Sequence, residues 1–483
     1  MPRADARVAH TDQQPSAKCL FNCLLRLTLS EALLLSLVQE HATLKASMAK
    51  ICIILPLVLL LSISAKTDEH CDFTGETIRI GGVAPLSAPG SVAGGIGMDW
   101  GFQQAAADIN AACGIQIGED SHRVKVITAD SEGVSEYGQL VVERLIFQDE
   151  VHGIVGFYHS AVGLATMNLA QRYKVPTIYA HPRNDNISAA GYIEFEGEPP
   201  RRSAGVDYVF RTSPPSSIVG KIVTDWLVEQ GVEDVVLILE NTDYGHPAAA
   251  AERAHLERAG VRVDQLEIEL GTEDFLPILS RLYARPELPD AIRILVSGET
   301  SYNLTQQMAE LGIAPTAETI CVTNHLAFQS EQYWKNVPDG NFCAFDRVGT
   351  IPSLYNELAA DLDARYQRDF GDILVSFAME AYDSVWLMAD AMERAGSFTD
   401  PDAIVAALEL TDIDLSQGRY YFDYGAHNPE LPEGTPAYMW HQWPVPVVTV
   451  MQYFEPGQSG LDAAVIYPEI YQTHGASYFK PGG

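Results

Sequence analysis

Basic residues are scarce in this 483-residue chain: 31 Lys and Arg stand against 64 Asp and Glu, a net charge of −33. A surface so acidic repels nucleic acid and anionic lipid, and no basic cluster overrides it. Motifs for group transfer are missing too. No GxxxxGK[ST] is present to cradle phosphates, and Gly94-Gly95-Ile96-Gly97 lacks the dinucleotide-binding spacing. The thirteen histidines include no HExxH or HxH. His159-Ser160 sits in Phe-Tyr-His-Ser-Ala-Val-Gly, which is not a nucleophile elbow. An adjacent His and Ser also point in different directions on most backbones. Asp412 and Asp414 read as solvated loop charges. Cysteines number seven and none has CxxC spacing, so zinc ligation has no frame. These absences predict a protein that is not an enzyme and has neither cofactor nor metal.

What is present begins with a short apolar leader. Met48-Ala49-Lys50 supplies a small basic start, Ile51 to Ile63 is almost wholly apolar, and Ser62-Ile63-Ser64-Ala65 offers a small-residue cleavage site. The run is shorter than the roughly twenty residues needed to span a bilayer. It predicts a cleaved signal peptide at 48–65 and a periplasmic, soluble product, with residues 1–47 set aside as an extension. Four cysteines follow the leader: Cys71, Cys113, Cys321 and Cys343. Export makes disulfides feasible, and four cysteines allow three pairings. Cys321 and Cys343 each sit in a short apolar run of the same region, so that pair is expected, leaving Cys71 with Cys113.

Beyond the leader, strands and helices alternate. Strand patterns fall at Thr77–Pro85, Arg123–Ala129, Val151–Gly156, Pro176–Ala180, Tyr208–Arg211, Val235–Glu240, Arg262–Glu269, Ala291–Ser297 and Thr319–Thr323. Helical patterns fill the gaps, among them Gly94–Asn110, Glu136–Gln148, Ser217–Glu229, His246–Arg258 and Thr300–Leu311. The later stretches Ile351–Phe370, Val375–Ala395 and Pro401–Leu408 return to helix. This alternation predicts an α/β fold with mainly parallel sheets and helices on both faces. One run of βα units ends near Arg211-Thr212-Ser213-Pro214-Pro215 and a second starts there, which predicts two doubly wound lobes.

In open α/β sheets ligands bind at the carboxyl ends of the strands, so the polar residues there are the candidates. Ser87 follows the first strand. Tyr158, His159 and Ser160 follow Val151–Gly156, with Ser160 opening a helix whose free N–H groups suit a carboxylate. His181, Pro182 and Arg183 follow Pro176–Ala180. Arg183 reads either as a surface charge or as a bidentate clamp on a carboxylate. In the second lobe Tyr244, Glu299, Asn324 and His325 hold equivalent places. A tyrosine there contributes both apolar area and a hydroxyl.

In this order the segments IRIGGVAPLSAPGS, GFQQAAADINAACGI, VHGIVGFYHSAVGLATMNLAQRYKVPTI, DYVFRTSPPSS, VVLILENTDYGHP and SFAMEAYDSVWLMADAMERAG resemble a known family. It is that of the periplasmic solute-binding proteins of branched-chain amino-acid and amide ABC importers, and the resemblance covers roughly residues 77–450. It implies two Rossmann-like lobes joined by three crossings and closing on ligand like a hinge. The lobes would comprise 77–212 plus 350–418, and 213–349 plus 419–450, with a tail at 451–483. The resemblance also implies that Ser160 binds a carboxylate or amide, with His181 to Arg183 as its partner and Tyr244 as the contact from the far lobe. An inner-membrane ABC permease would be the partner of a monomeric binder. Three departures stand out. His325 occupies a place usually acidic in amino-acid binders, Arg183 replaces a small polar residue, and neither Ser131 nor His159 is the cysteine of the leucine-type binders. They tilt the reading toward a ligand with a carboxylate and no obligatory ammonium, such as an aromatic or short organic acid; Glu299 could compensate for the missing acid, so the ligand is read as an amino acid or an organic acid. An amide- or urea-binding protein and a ligand-sensing module for a regulator are the alternatives.

Overall fold

Runs of β-branched residues alternating with amphipathic stretches build two mainly parallel sheets wrapped by helices. The computed structural model describes residues 71–480, except 190, 191, 194–200, 203–205, 325–332, 339–341, 350, 352–354, 456, 459–461 and 474. The leader at 48–65, the extension at 1–47 and His325 therefore lie outside the described residues.

The first half runs β1 (Ile78–Ala84), α1 (Val92–Ala111), β2 (Val124–Asp130), α2 (Ser135–Phe147), β3 (Gly153–Gly156), α3 (Ser160–Tyr173), β4 (Thr177–Tyr179) and β5 (Val209–Arg211). Its five strands are parallel in the order β2-β1-β3-β4-β5. The second half runs α4 (Ser216–Glu229), β6 (Asp234–Glu240), α5 (Gly245–Arg258), β7 (Arg262–Ile268), α6 (Leu276–Tyr283), β8 (Ala291–Leu295), α7 (Thr300–Glu310), β9 (Ile320–Thr323) and β10 (Ala344–Val348). Helices α8 (Glu357–Phe370), α9 (Ser376–Ala395) and α10 (Pro401–Glu409) follow, then β11 (Val448–Gln452) and β12 (Ala464–Tyr467). The second sheet is ordered β7-β6-β8-β9-β10-β11-β12, with β11 and β12 antiparallel.

Both sheets thus repeat one winding plan, with the first strand between the second and third. Winding reverses beside that first strand, so the loops leaving the first and third strands part and leave a crevice at their carboxyl ends. The first sheet is covered by α9, of which fifteen residues are buried, including Met379, Leu387 and Met388. Helix α1 crosses α9 closely at Gly101, where a Cβ would lie 2.2 Å from the Ala378 carbonyl oxygen. Disulfides join Cys71 to Cys113 and Cys321 to Cys343.

Several boundaries differ from the sequence reading. The helix expected from Ile351 starts at Glu357, because the Asn356 side chain accepts the Ala359 N–H and caps it. The handover to the second lobe expected at 419 comes later. Leu415, Tyr420, Phe422 and Trp443 bury into the first core, and Gln442 bridges to Arg211. An aromatic-rich stretch that reads as loop is thus core filling. Residues beyond 450 supply β12, and Tyr478 packs edge-on against Trp226 at 5.5 Å.

The chain passes between the sheets after Arg211, after Val348 and after Trp443. These passes lie side by side: Gln442 Nε2 donates to the Ser213 carbonyl at 2.9 Å, and Gly349 N donates to the Val447 carbonyl at 2.7 Å.

Candidate functional site

The carboxyl edges of the two sheets face each other across a cleft of about 530 Å³. Its first wall is made where β3 turns into α3. Gly156 takes φ 104° and Phe157 φ 64°, a region that bulky side chains rarely adopt. The Phe157 ring stacks on Tyr179 at 4.5 Å, which holds the turn. The chain reverses there, and α3 begins at Ser160 with its first N–H groups at the cleft. Ser160 is buried, and its Oγ accepts from Asn184 N at 3.2 Å. A helix start of this kind carries partial positive charge and unpaired donors, which suits a carboxylate.

Aromatic rings flank that helix start. Tyr158 stacks on His181 with centroids 4.4 Å apart, and His181 Nδ1 lies 2.6 Å from Glu380 Oε2 of α9. Burial pushes the Tyr158 phenol well up. Burial, with His181 beside it, pushes His159 down to about 4, so its imidazole is neutral at pH 7. Among the described residues His159 and Ser160 make no hydrogen bond to each other: Ser160 Oγ accepts from Asn184 N, and His159 Nδ1 has no partner.

Arg183 is 4 % exposed and is not a surface charge. Its Nη1 lies 3.2 Å from Asp346 Oδ2 on β10 of the other sheet. Asp346 Oδ1 is in turn 2.8 Å from Arg293 Nη1, and Arg293 pairs with Glu252 at 3.2 Å. Two guanidinium and two carboxylate groups thus alternate in a buried row of no net charge. Burial alone would lower Arg293, but Glu252 and Asp346 outweigh it and raise its pKa.

The second wall is built on the loop after β6. Glu240 Oε1 accepts from Thr242 Oγ1 at 2.7 Å, and its Oε2 accepts from Ser297 N at 2.6 Å and Ser297 Oγ at 2.7 Å. Burial pushes this carboxyl up despite those bonds. Thr242 Oγ1 accepts from Tyr244 N and Gly245 N, both at 3.2 Å, and so sets Tyr244 at the start of α5. Burial pushes Tyr244 up to about 12. Asn324, directly after β9, completes this side.

Of the residues singled out in the sequence, Tyr158, His159, Ser160, His181, Arg183, Tyr244 and Asn324 line the cleft. Ser87 is exposed beside Asp130, which its side chain bonds. Pro182 faces away, with its carbonyl accepting from Ser213 Oγ at 2.7 Å. Glu299 reaches over to the first lobe, where its Oε1 accepts from Ala93 N in the first turn of α1 at 3.0 Å. Glu240, Thr242, Ser297 and Leu270 line the cleft without having been singled out. Glu240 and Ser297 close expected strands, so the strand-end rule reaches them. Leu270 carries no such signal.

Among the described residues no group of three or more His, Cys, Asp or Glu is placed to hold a metal, and no helix is long and apolar enough to cross a membrane. Residues 77–433 match the family model of the periplasmic binding proteins. An amino acid binding protein of Pseudomonas aeruginosa is 27% identical over 332 residues, covering 67% of this chain and 80% of the relative. Among solved structures, a branched-chain amino acid transporter substrate binding protein of Streptococcus pneumoniae in complex with isoleucine superposes with a TM-score of 0.66. It has 23% identity and covers 81% of this chain and all of that one. A solute binding protein of an ABC transporter from R. palustris in complex with benzoate gives 0.64 at 16% identity, covering 79% and 94%. With a family model matched across both lobes and the same two-sheet architecture in these structures, the chain belongs to the periplasmic binding protein family.

Proposed function

We propose that this protein is the exported, periplasmic solute-binding component of an ABC importer. It holds a small carboxylate-bearing ligand between its lobes and delivers it to an inner-membrane permease. The observation that carries this reading is the start of α3, aimed into the cleft at Ser160 and flanked by the stacked Tyr158–His181 pair, with Tyr244 opposite. That arrangement offers donors to a carboxylate and apolar faces to the body of the ligand. Isoleucine and benzoate, held by the two structural neighbours, both carry a carboxylate. Arg183 adds a cation to the same wall, partly offset by Asp346. That offset favours a second reading, in which an uncharged amide or urea occupies the cleft.

Calorimetry with paired carboxylates and their primary amides separates the two. The carboxylate reading expects the acid of each pair to bind at least tenfold more tightly. It also expects Ser160→Ala to weaken that binding by about 1–2 kcal/mol, as one hydrogen bond among several. Amides that bind as tightly as their acids overturn it. Stimulation of a reconstituted permease's ATP hydrolysis by the loaded protein separates import from a sensing role.

A further inference from the structure

His159 and Asn324 stand on opposite walls of the cleft, one after β3 and one after β9. They are 9 % and 3 % exposed. His159 Nδ1 and Asn324 Oδ1 are both buried without a hydrogen-bond partner among the described residues. An unpaired buried polar atom costs about 1–3 kcal/mol, and folded proteins keep few of them. Two such atoms lining one cleft share an explanation: a ligand pairs with both.

The chemistry of each atom specifies its counterpart. The amide oxygen of Asn324 only accepts, so the group facing it must donate. A neutral His159 offers one N–H, and a carboxylate seated by the start of α3 lies on the same wall to receive it. The kind of donor at Asn324 follows from charge. The described carboxyl group on the cleft wall is Glu240, which burial pushes toward its uncharged form and whose oxygens serve Ser297 and Thr242. Asp346 is held between Arg183 and Arg293. Among the described residues an ammonium here finds no dedicated counter-charge on the cleft wall, whereas a hydroxyl needs only the Asn324 oxygen.

We infer that the ligand is a hydroxy acid, with its carboxylate at His159 and Ser160 and its hydroxyl donating to Asn324. This rests on the reading of the cleft as a carboxylate site. It makes Asn324 a specificity-determining residue that discriminates hydroxy acids from the corresponding deoxy and amino acids.

Two measurements test it. The first uses ligand-free protein: Asn324→Leu and His159→Phe each remove an unpaired polar atom, so both variants should melt at or above the parent temperature. A clear fall in both shows that these side chains hold the fold together and overturns the inference. The second measures thermal shifts of the parent and Asn324→Leu with matched sets: 2-hydroxyisocaproate, isocaproate and leucine; 3-phenyllactate, 3-phenylpropanoate and phenylalanine; 4-hydroxybenzoate and benzoate. In at least one set the hydroxy acid should bind the parent tenfold or more tightly than its relatives, with that preference lost in Asn324→Leu. Deoxy or amino acids that bind as well, or no shift from any hydroxy acid, overturn the inference. If deoxy or amino acids bind while their amides do not, the carboxylate reading survives its failure.

Discussion

Asp383 and Glu409 are both buried carboxyls, yet their surroundings push them in opposite directions. On Asp383 burial dominates, and bonds from Ser416, Tyr420 and Gln417 offset it only in part, leaving it at about 6. On Glu409 burial also pushes upward. There the bonds from His441 at 2.7 Å and from the Ala426 and His427 amides win, bringing it down to about 2. The consequences for stability differ in sign. A raised folded pKa gives a contribution that is full below the unfolded value and lost as pH rises through the folded one. Asp383 therefore weakens the fold between about pH 4 and pH 6, while Glu409 withdraws its support only as pH falls from about 4.5 toward 2. Urea unfolding of the parent and Asp383→Asn across pH 4–7 checks the first. The stability difference should move against the parent as pH rises through that window, and a constant difference refutes it. Neither group was legible in the sequence, because the identity of a carboxyl says nothing of which amides the fold turns toward it. Ser160 and Tyr158 were legible because strand ends announce themselves.

At the scale of elements, close approach is set by what is missing from a side chain. Gly101 on α1 faces the Ala378 carbonyl of α9 at a distance no Cβ tolerates, and backbone there cannot swing aside. Gly101→Ala should therefore force the helices apart and destabilise the protein by about 1–3 kcal/mol, the usual range for overpacking. A denaturation midpoint equal to the parent's would show that the pair relaxes freely. Helix and strand positions themselves were legible, since α4 repeats Val219, Val223, Trp226 and Leu227 on its buried face and β6 is an unbroken apolar run from Val235 to Leu239. What periodicity missed was local chemistry. Asn356 sets the start of α8 through one side-chain bond, and the ribbon formed by Asp412–Leu415 and Gly418–Tyr421 is too short to declare a period. Its aromatic residues look like loop until Tyr420 and Trp443 are seen packed together, tilted by 30° with centroids 4.3 Å apart, inside the first core.

For the whole molecule, the repeated winding plan predicts two lobes, but sequence alone does not say which residues touch across the cleft. Among the described residues such contacts include Arg183 with Asp346, Asn184 Nδ2 with the Asp243 carbonyl at 2.5 Å, and Glu299 with the N–H of Ala93. The contact of Glu299 with Ala93 joins the lobes without either residue lining the cleft. It places a carboxylate of one lobe at the first turn of a helix of the other, an arrangement worth about 0.3–1 kcal/mol from the helix dipole. On the proposed reading the lobes part to release ligand, so loss of this contact should appear in the dissociation rate. Glu299→Gln keeps the shape and removes the charge. It should speed release of the tightest-binding carboxylate about twofold to fivefold, with association little changed, as read by stopped-flow tryptophan fluorescence. High salt should shrink the gap between parent and variant, because a partly exposed charge is screened. An unchanged release rate would mean that Glu299 only steadies the start of α1.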